Sequence, residues 1–114
     1  MIVQEGEKLH VLTRRLFDGD LRRHFVGVVK AVEGELVRLD GYVFIFESGS
    51  TTWVKRPELR TRIIGLSDNG HIIKVIPKHV VLEDLTYKPS TTKHLSVTDG
   101  KEFWLDINEF SSQR

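Results

Sequence analysis

Residues 23–32, Arg-His-Phe-Val-Gly-Val-Val-Lys-Ala-Val, and residues 42–46, Tyr-Val-Phe-Ile-Phe, are the strongest indication of the fold of this chain. Both are rich in β-branched and aromatic residues, which favour extended strands. In both, apolar residues occupy successive positions instead of every second one. This pattern is typical of strands that are covered on two faces.

Short strand-like segments separated by turn signals lie on either side of these two stretches. Glu33-Gly34-Glu35 and Asp99-Gly100 predict turns, and Asn69-Gly70 predicts a hairpin between its flanking strands. Asp40-Gly41 predicts a tight turn or a bulge, and Pro57 is expected to stop ladder pairing because it has no N–H. The further predicted strands cover residues 8–14, 36–40, 51–55, 60–66, 71–76, 94–98 and 101–107.

A helix is predicted only over residues 77–85, and for two turns at most, because Glu83 and Asp84 would lie at its negative C-terminal end. The sequence therefore predicts a mainly all-β fold, a small antiparallel β-barrel or roll of about eight or nine strands with one short helix. A length of 114 residues suits a single β-barrel domain spanning residues 1–114.

The composition excludes several classes of protein. Hydrophobic residues make up 39% and charged residues 29%, a globular balance, and the net charge is +1. The absence of cysteine rules out disulfide scaffolds, thiolate zinc sites and thiol nucleophiles. The sequence has no basic start followed by an apolar run and no stretch of about 20 apolar residues. We therefore expect a cytoplasmic protein without a membrane partner.

The sequence contains no glycine-rich phosphate loop, nucleophile elbow or HExxH motif. Its five histidines are far apart in the chain, so a histidine-rich zinc site would depend on folding alone. His10 and His24 would be neighbours if their strands pair, and they would then form a pH-sensitive contact.

Arginines are the most distinctive polar residues. If residues 8–14 and 23–32 pair, then Arg14, Arg15, Arg22 and Arg23 form a basic patch at one end of that hairpin. Arg60 and Arg62 share one face of their strand, and with Lys74 they are candidates for phosphate binding. The alternative is a solvated rim in which the arginines pair with acids. Those acids would be Asp18, Asp20, Glu47 and Glu58.

Aromatic and acidic residues supply two further candidate sites. Phe44 and Phe46 suit the core, whereas Trp53 and Trp104 have polar neighbours and could line an aromatic pocket. Asp106 and Glu109 could share a divalent cation if the chain turns helical there, or Asp106 could cap a final turn.

Three segments resemble the FomD-like barrel family, whose characterised members are metal-dependent phosphohydrolases of nucleotide-type substrates. They are Thr52-Trp53-Val54-Lys55-Arg56-Pro57-Glu58, then Ile63-Ile64-Gly65-Leu66 with Asp68-Asn69-Gly70, then Asp99-Gly100-Lys101 with Leu105-Asp106-Ile107-Asn108-Glu109-Phe110. The resemblance covers roughly residues 22–110. It implies cations held by several carboxylates, yet residues 72–76 and 93–97 contain none, and only Asp106 and Glu109 fall where such ligands would lie.

Three functions are consistent with these features. The first is a non-catalytic binding or interaction module with no cofactor and with a nucleotide or a protein as partner. The second is a phosphohydrolase of a nucleotide-like substrate, which alone would need a divalent cation such as Mg²⁺. The third is a barrel that binds RNA or another single strand through its arginines and Trp53. An exposed edge strand would also allow a homodimer.

Overall fold

The computed structural model describes residues 2–15, 22–47, 49–67, 70–91 and 94–107. The chain divides into two compact units, Met1–Lys78 and His79–Arg114. The prediction of one domain over residues 1–114 stays a prediction.

The first unit contains one antiparallel sheet of six strands. The sheet follows the order β4-β3-β2-β1-β6, and β5 also pairs with β3. The strands are β1 (Lys8–Thr13), β2 (Arg23–Glu33), β3 (Leu36–Glu47), β4 (Thr52–Lys55), β5 (Arg60–Gly65) and β6 (His71–Ile76).

Strands β2 and β3 form a long hairpin whose turn contains Gly34 at a φ of 60°. Strands β4 and β5 follow one another along the free edge of β3, where Lys55 pairs with Phe44 and Arg60 pairs with Gly41. Pro57 lies in the interruption between them, as its missing N–H predicts.

One face of this sheet forms the core of the unit. Strand pairing places residues from β1, β2 and β3 together there because paired residues share a face. The buried members are Val3, Leu9, Val11, Phe25, Val29, Val37, Leu39 and Val43. The other face also contains buried residues, namely His10, His24, Val26, Phe44 and Ile76.

Gly41 does not end a strand, so the prediction of a turn or bulge at Asp40-Gly41 is wrong. Strand β3 runs through both residues, and Gly41 pairs with Gly27 of β2. A Cβ atom on Gly41 would overlap the backbone of Val26 and Gly27. The glycine is needed because two strands approach each other closely here.

The second unit contains a three-stranded antiparallel sheet in the order β7-β8-β9. The strands are β7 (Thr86–Pro89), β8 (Leu95–Thr98) and β9 (Trp104–Asp106). The predicted hairpin at Asp99-Gly100 joins β8 to β9, and Gly100 has a φ of 80°. Strand β7 includes Lys88 and Pro89, which pair with Ser96 and Leu95 of β8.

Of the helix predicted over residues 77–85, only a single 3-10 turn is formed, at Leu82–Asp84. Its acids, Glu83 and Asp84, have no basic residue in the last turn to balance them. Among the described residues, no helix is long and apolar enough to cross a membrane.

The mainly β, antiparallel prediction is confirmed, and the described residues form nine strands. The closed barrel is not formed, because these strands belong to two separate sheets. The prediction of a hairpin at Asn69-Gly70 is also wrong. Of the strands that flank it, β5 pairs with β3 and β6 pairs with β1.

Candidate anion-binding site

The central residue of the candidate site is Arg62 of β5. Its guanidinium carbon lies 5.3 Å from the centre of the Phe25 ring, over its face. A cation over an aromatic face is attracted to the ring quadrupole, and the contact limits the orientations of the planar guanidinium. Arg62 is half-buried.

Gly27 makes room for the Phe25 ring. Phe25 and Gly27 lie two residues apart on β2 and therefore on the same face. A Cβ atom on Gly27 would lie 2.7 Å from Cε2 of Phe25 and 3.1 Å from Cβ of Leu39. The ring thus extends over Gly27, beside Leu39, and Leu39 is the ladder partner of Arg62. Because Gly27 has no side chain, the Phe25 ring fits over it and forms the platform on which Arg62 lies.

Two further arginines are close to Arg62. Arg60 lies two residues before it on β5, and Arg23 lies two residues before Phe25 on β2, so all of them share the core face of the sheet. Burial lowers the pKa of Arg62, and repulsion from Arg23 and Arg60 lowers it further. We call Arg23, Arg60 and Arg62 the arginine cluster.

One carboxylate partly neutralises this cluster. Glu58 accepts a hydrogen bond of 2.8 Å from Arg60 and lies 3.6 Å from Arg56. The bond from Arg60 is the main cause of the lowered pKa of Glu58. Within the described part of the chain, no carboxylate pairs with Arg23 or Arg62. The rim alternative therefore holds for Arg60 and Arg56. Glu47 bonds to Ser50, and Asp18 and Asp20 lie outside the described residues.

Lys74 does not join the arginine cluster. It pairs with His10 across β1 and β6, which places it on the face opposite the core. Of the three predicted phosphate-binding residues, the structure brings Arg60 and Arg62 together and separates Lys74 from them. Burial is the main cause of the lowered pKa values of His10 and His24, and the charge of Lys74 lowers them further.

The predicted contact between His10 and His24 is present on that opposite face. Their ring centres lie 5.2 Å apart in an edge arrangement, and His24 also stacks on Trp53 at 4.2 Å. Burial is the main cause that lowers the pKa of His10 to about 4 and of His24 to about 3. Both histidine rings are therefore neutral at pH 7. Trp53, one of the two tryptophans of the predicted aromatic pocket, packs against His24 on this face.

The predicted basic patch lies at the end of the β1–β2 hairpin, where Thr13 pairs with Arg23. Arg14 and Arg15 follow β1 and are exposed. Arg22 precedes β2, and its guanidinium carbon lies 5.5 Å from the centre of the Phe46 ring. Arg23 is the one member of this patch that belongs to the arginine cluster.

The candidate metal ligand Asp106 lies in the second unit, at the end of β9. Its Oδ2 atom is 3.0 Å from Nδ1 of His94, and both side chains are about a third exposed, 39% and 33% respectively. Asp106 is the last residue of β9. Glu109, and any final turn that Asp106 could cap, lie outside the described residues. Across the described ranges, no group of three His, Asp or Glu side chains could hold a metal ion.

Trp104, the second residue of the predicted aromatic pocket, belongs to β9 in the second unit, whereas Trp53 belongs to β4 in the first. Its indole Nε1 donates a hydrogen bond to the carbonyl oxygen of Lys101, and 44% of the residue is exposed.

The sequence reasoning missed Phe25 and Gly27 as parts of the site. The alternation Arg23-Phe25-Gly27 is visible in the sequence and predicts one shared face. What links this face to Arg60 and Arg62 is the pairing of β3 with both β2 and β5, which has no local signal.

Comparison of this chain with protein-family models, with curated proteins and with solved structures gives no match. The resemblance to the FomD-like family stays a hypothesis.

Proposed function

We propose that this protein is a non-catalytic binding module and that its ligand carries a phosphate group held by the arginine cluster. The observation that carries the proposal is the position of Arg62. It is a half-buried guanidinium that lies over an aromatic ring, with two like charges nearby and no carboxylate partner in the described residues.

The charges of the cluster favour an anion. Three guanidinium groups are present, and Glu58 compensates mainly Arg60. Bringing like charges together in a partly desolvated place is unfavourable, and a bound anion would relieve the repulsion. A phosphate suits this arrangement because its oxygens accept paired hydrogen bonds from the planar fork of arginine.

The packing also favours binding. Arg62 lies against Phe25, and Phe25 is supported by the close approach to Gly27. A side chain that is already held in place loses less conformational freedom when the ligand arrives. Arg62 is therefore a prearranged donor group on the core face of the sheet.

The test is a calorimetric titration of the full chain with inorganic phosphate and with thymidine monophosphate at low salt. Arg62→Gln should weaken binding by about tenfold or more, because a hydrogen bond to a charged group contributes roughly 1.5–3 kcal/mol. Arg62→Lys should also weaken it, since lysine keeps the charge but loses the fork.

Arg38→Gln is the matched control. Arg38 is an exposed arginine of β3 that pairs with Ile63, a position that faces away from Arg62. This variant should bind phosphate like the unmodified chain. Equal affinities of Arg62→Gln and Arg38→Gln, or no binding by the unmodified chain, would overturn the proposal.

A further inference from the structure

We infer that this protein forms a homodimer in which β6 pairs in antiparallel fashion with β6 of a second copy of the chain. The contact consists mainly of hydrogen bonds between the main chains of the two strands. This inference is independent of the proposed function, because β6 contains no residue of the arginine cluster.

Strand β6 lies at an edge of the first sheet. It pairs with β1 and, among the described residues, with no other strand. The hairpin predicted at Asn69-Gly70 would have covered its outer side, but β5 pairs with β3 instead. An edge strand presents main-chain N–H and C=O groups with which a further strand can pair.

Two hydrogen bonds show which main-chain groups of β6 point outward. In an antiparallel pair, residues that exchange main-chain hydrogen bonds alternate with residues that do not. The N–H of Arg14 donates to the carbonyl oxygen of Gly70 over 2.7 Å, so the even-numbered residues of β6 bond to β1. The N–H of Val29 donates to the carbonyl oxygen of Glu7 over 2.8 Å, so the odd-numbered residues of β1 bond to β2. The two ladders agree, because the even-numbered residues of β1 then bond to β6.

The main-chain groups of Ile73 and Val75 therefore point away from β1. In the part of the chain that the structure describes, these groups have no hydrogen-bond partner on that side. Val75 is 61% exposed and Ile72 is 42% exposed, so each face of β6 offers an apolar side chain for contact. Short segments rich in β-branched residues, with little charge and no proline, pair readily with copies of themselves.

The other edges formed by the described strands are less suited to pairing between copies. Strand β4 has four residues, and Pro57 separates it from β5. Pairing β5 with its own copy would bring two sets of Arg60 and Arg62 together, which is unfavourable. In the second unit, β7 ends with Pro89 and β9 has three residues.

The sequence of β6 is compatible with pairing to itself about a two-fold axis. An axis at Ile73 places Lys74 opposite Ile72 of the second copy, and Val75 opposite His71. Lysine therefore meets an apolar residue, whereas an axis at Lys74 would place two like charges opposite each other. The net charge of +1 adds little repulsion between the copies. These matches specify a second copy as the partner.

Amide hydrogen exchange, measured by NMR on the full chain at about 50 μM and about 1 mM, tests the contact, because dimerisation follows mass action. The N–H groups of Ile73 and Val75 should exchange several-fold more slowly at the higher concentration, since a second copy protects them. The N–H groups of Ile72 and Lys74 should be protected at both concentrations, since they bond to β1.

Val75→Pro removes one outward N–H and leaves the hydrogen bonds to β1 intact. Proline is tolerated on an edge strand where its nitrogen faces solvent. Val75→Thr is the matched control, because it keeps both the N–H and the β-branched shape. Circular dichroism at low concentration should show that both variants are folded.

Sedimentation velocity compares the association of these chains. One strand from each copy makes a small interface, so we expect a dissociation constant on the order of 10–100 μM. The unmodified chain and Val75→Thr should dimerise with similar affinity. Val75→Pro should associate about tenfold or more weakly, since the two-fold contact loses a hydrogen bond from each copy.

Three results would overturn the inference. The first is a chain that stays monomeric up to about 1 mM, well above the expected dissociation constant. The second is a dimer that Val75→Pro forms as tightly as Val75→Thr, because the contact would then lie elsewhere. The third is exchange at Ile73 and Val75 that does not depend on concentration, and this result decides even if Val75→Pro does not fold.

Discussion

Gly41 approaches the backbone of Val26 so closely that no Cβ atom fits between the two strands. Strand β3 is paired on both sides at this point, with Gly27 of β2 and Arg60 of β5. Strand β3 therefore links β2, at this close contact, to β5, the strand that carries Arg60 and Arg62.

Gly41→Ala should be strongly destabilising. The added methyl group would overlap main-chain atoms, which cannot move without disturbing the ladder, and overpacking of this kind costs about 1–3 kcal/mol or more. Urea unfolding should show the loss as a lower midpoint. Gly65→Ala is the control, because a Cβ atom on Gly65 meets nothing within 4 Å. Equal midpoints for the two variants would contradict the close approach.

Gly27→Ala should act on the candidate site. The new methyl group would displace the ring of Phe25, whose Cε2 would otherwise lie 2.7 Å away, and with it the support of Arg62. We expect several-fold weaker phosphate binding, measured by calorimetry under conditions in which the variant remains folded by circular dichroism. Unchanged affinity would show that the platform does not position Arg62.

Stability should decrease as the pH falls below 6.5. His10 and His24 have pKa values of about 4 and about 3 in the folded chain, below the ordinary value of 6.5, so the unfolded chain binds protons that the folded chain does not. Their contribution is complete above pH 6.5 and is lost as the pH falls toward 4. Between pH 6.5 and pH 5 the free energy of unfolding should drop by about 3 kcal/mol, at up to 1.36 kcal/mol per group per pH unit.

Urea unfolding at a series of pH values measures this drop. Lys74→Gln should make the dependence only slightly shallower, and mainly below pH 5, because burial is the main cause of both lowered histidine pKa values and the charge of Lys74 adds a smaller part. A free energy of unfolding that stays constant from pH 6.5 to pH 5 would be inconsistent with two buried neutral rings.

Thr98→Val should destabilise the second unit. The Thr98 hydroxyl is fully buried, donates a hydrogen bond of 2.7 Å to the carbonyl oxygen of Phe103, and accepts one of 3.0 Å from the N–H of Gly100. Valine has the same shape but leaves both backbone groups without this partner, which costs about 1–3 kcal/mol. Thr86→Val, at the exposed residue paired with Thr98, should change the unfolding free energy little.

Asp106→Asn tests the alternative enzymatic function. The pair between Asp106 and His94 is partly exposed, so its loss should change stability by less than about 1 kcal/mol. Phosphate binding at the arginine cluster should be unaffected. Release of phosphate from nucleotides in the presence of Mg²⁺ or Mn²⁺ that this substitution abolishes would favour the phosphohydrolase over the binding module.

Local sequence patterns alone predict much of the secondary structure. The strands of residues 23–32 and 42–46 follow from their β-branched and aromatic side chains, the hairpin turns from Gly34 and Gly100, and the break beside Pro57 from its missing N–H. Alternation along one strand also placed Arg60 and Arg62 on one face. These features depend on neighbouring residues alone.

Which strands pair, and hence which charged side chains lie close together, depends on the folded sheet as a whole. The Asn69-Gly70 signal predicted that β5 pairs with β6, but β5 pairs with β3 and β6 with β1. This pairing places Arg23 near Arg62, and it places Lys74 beside His10 on the opposite face. Ladder partners far apart in sequence are selected by the burial of the whole sheet face, and no local pattern contains that information.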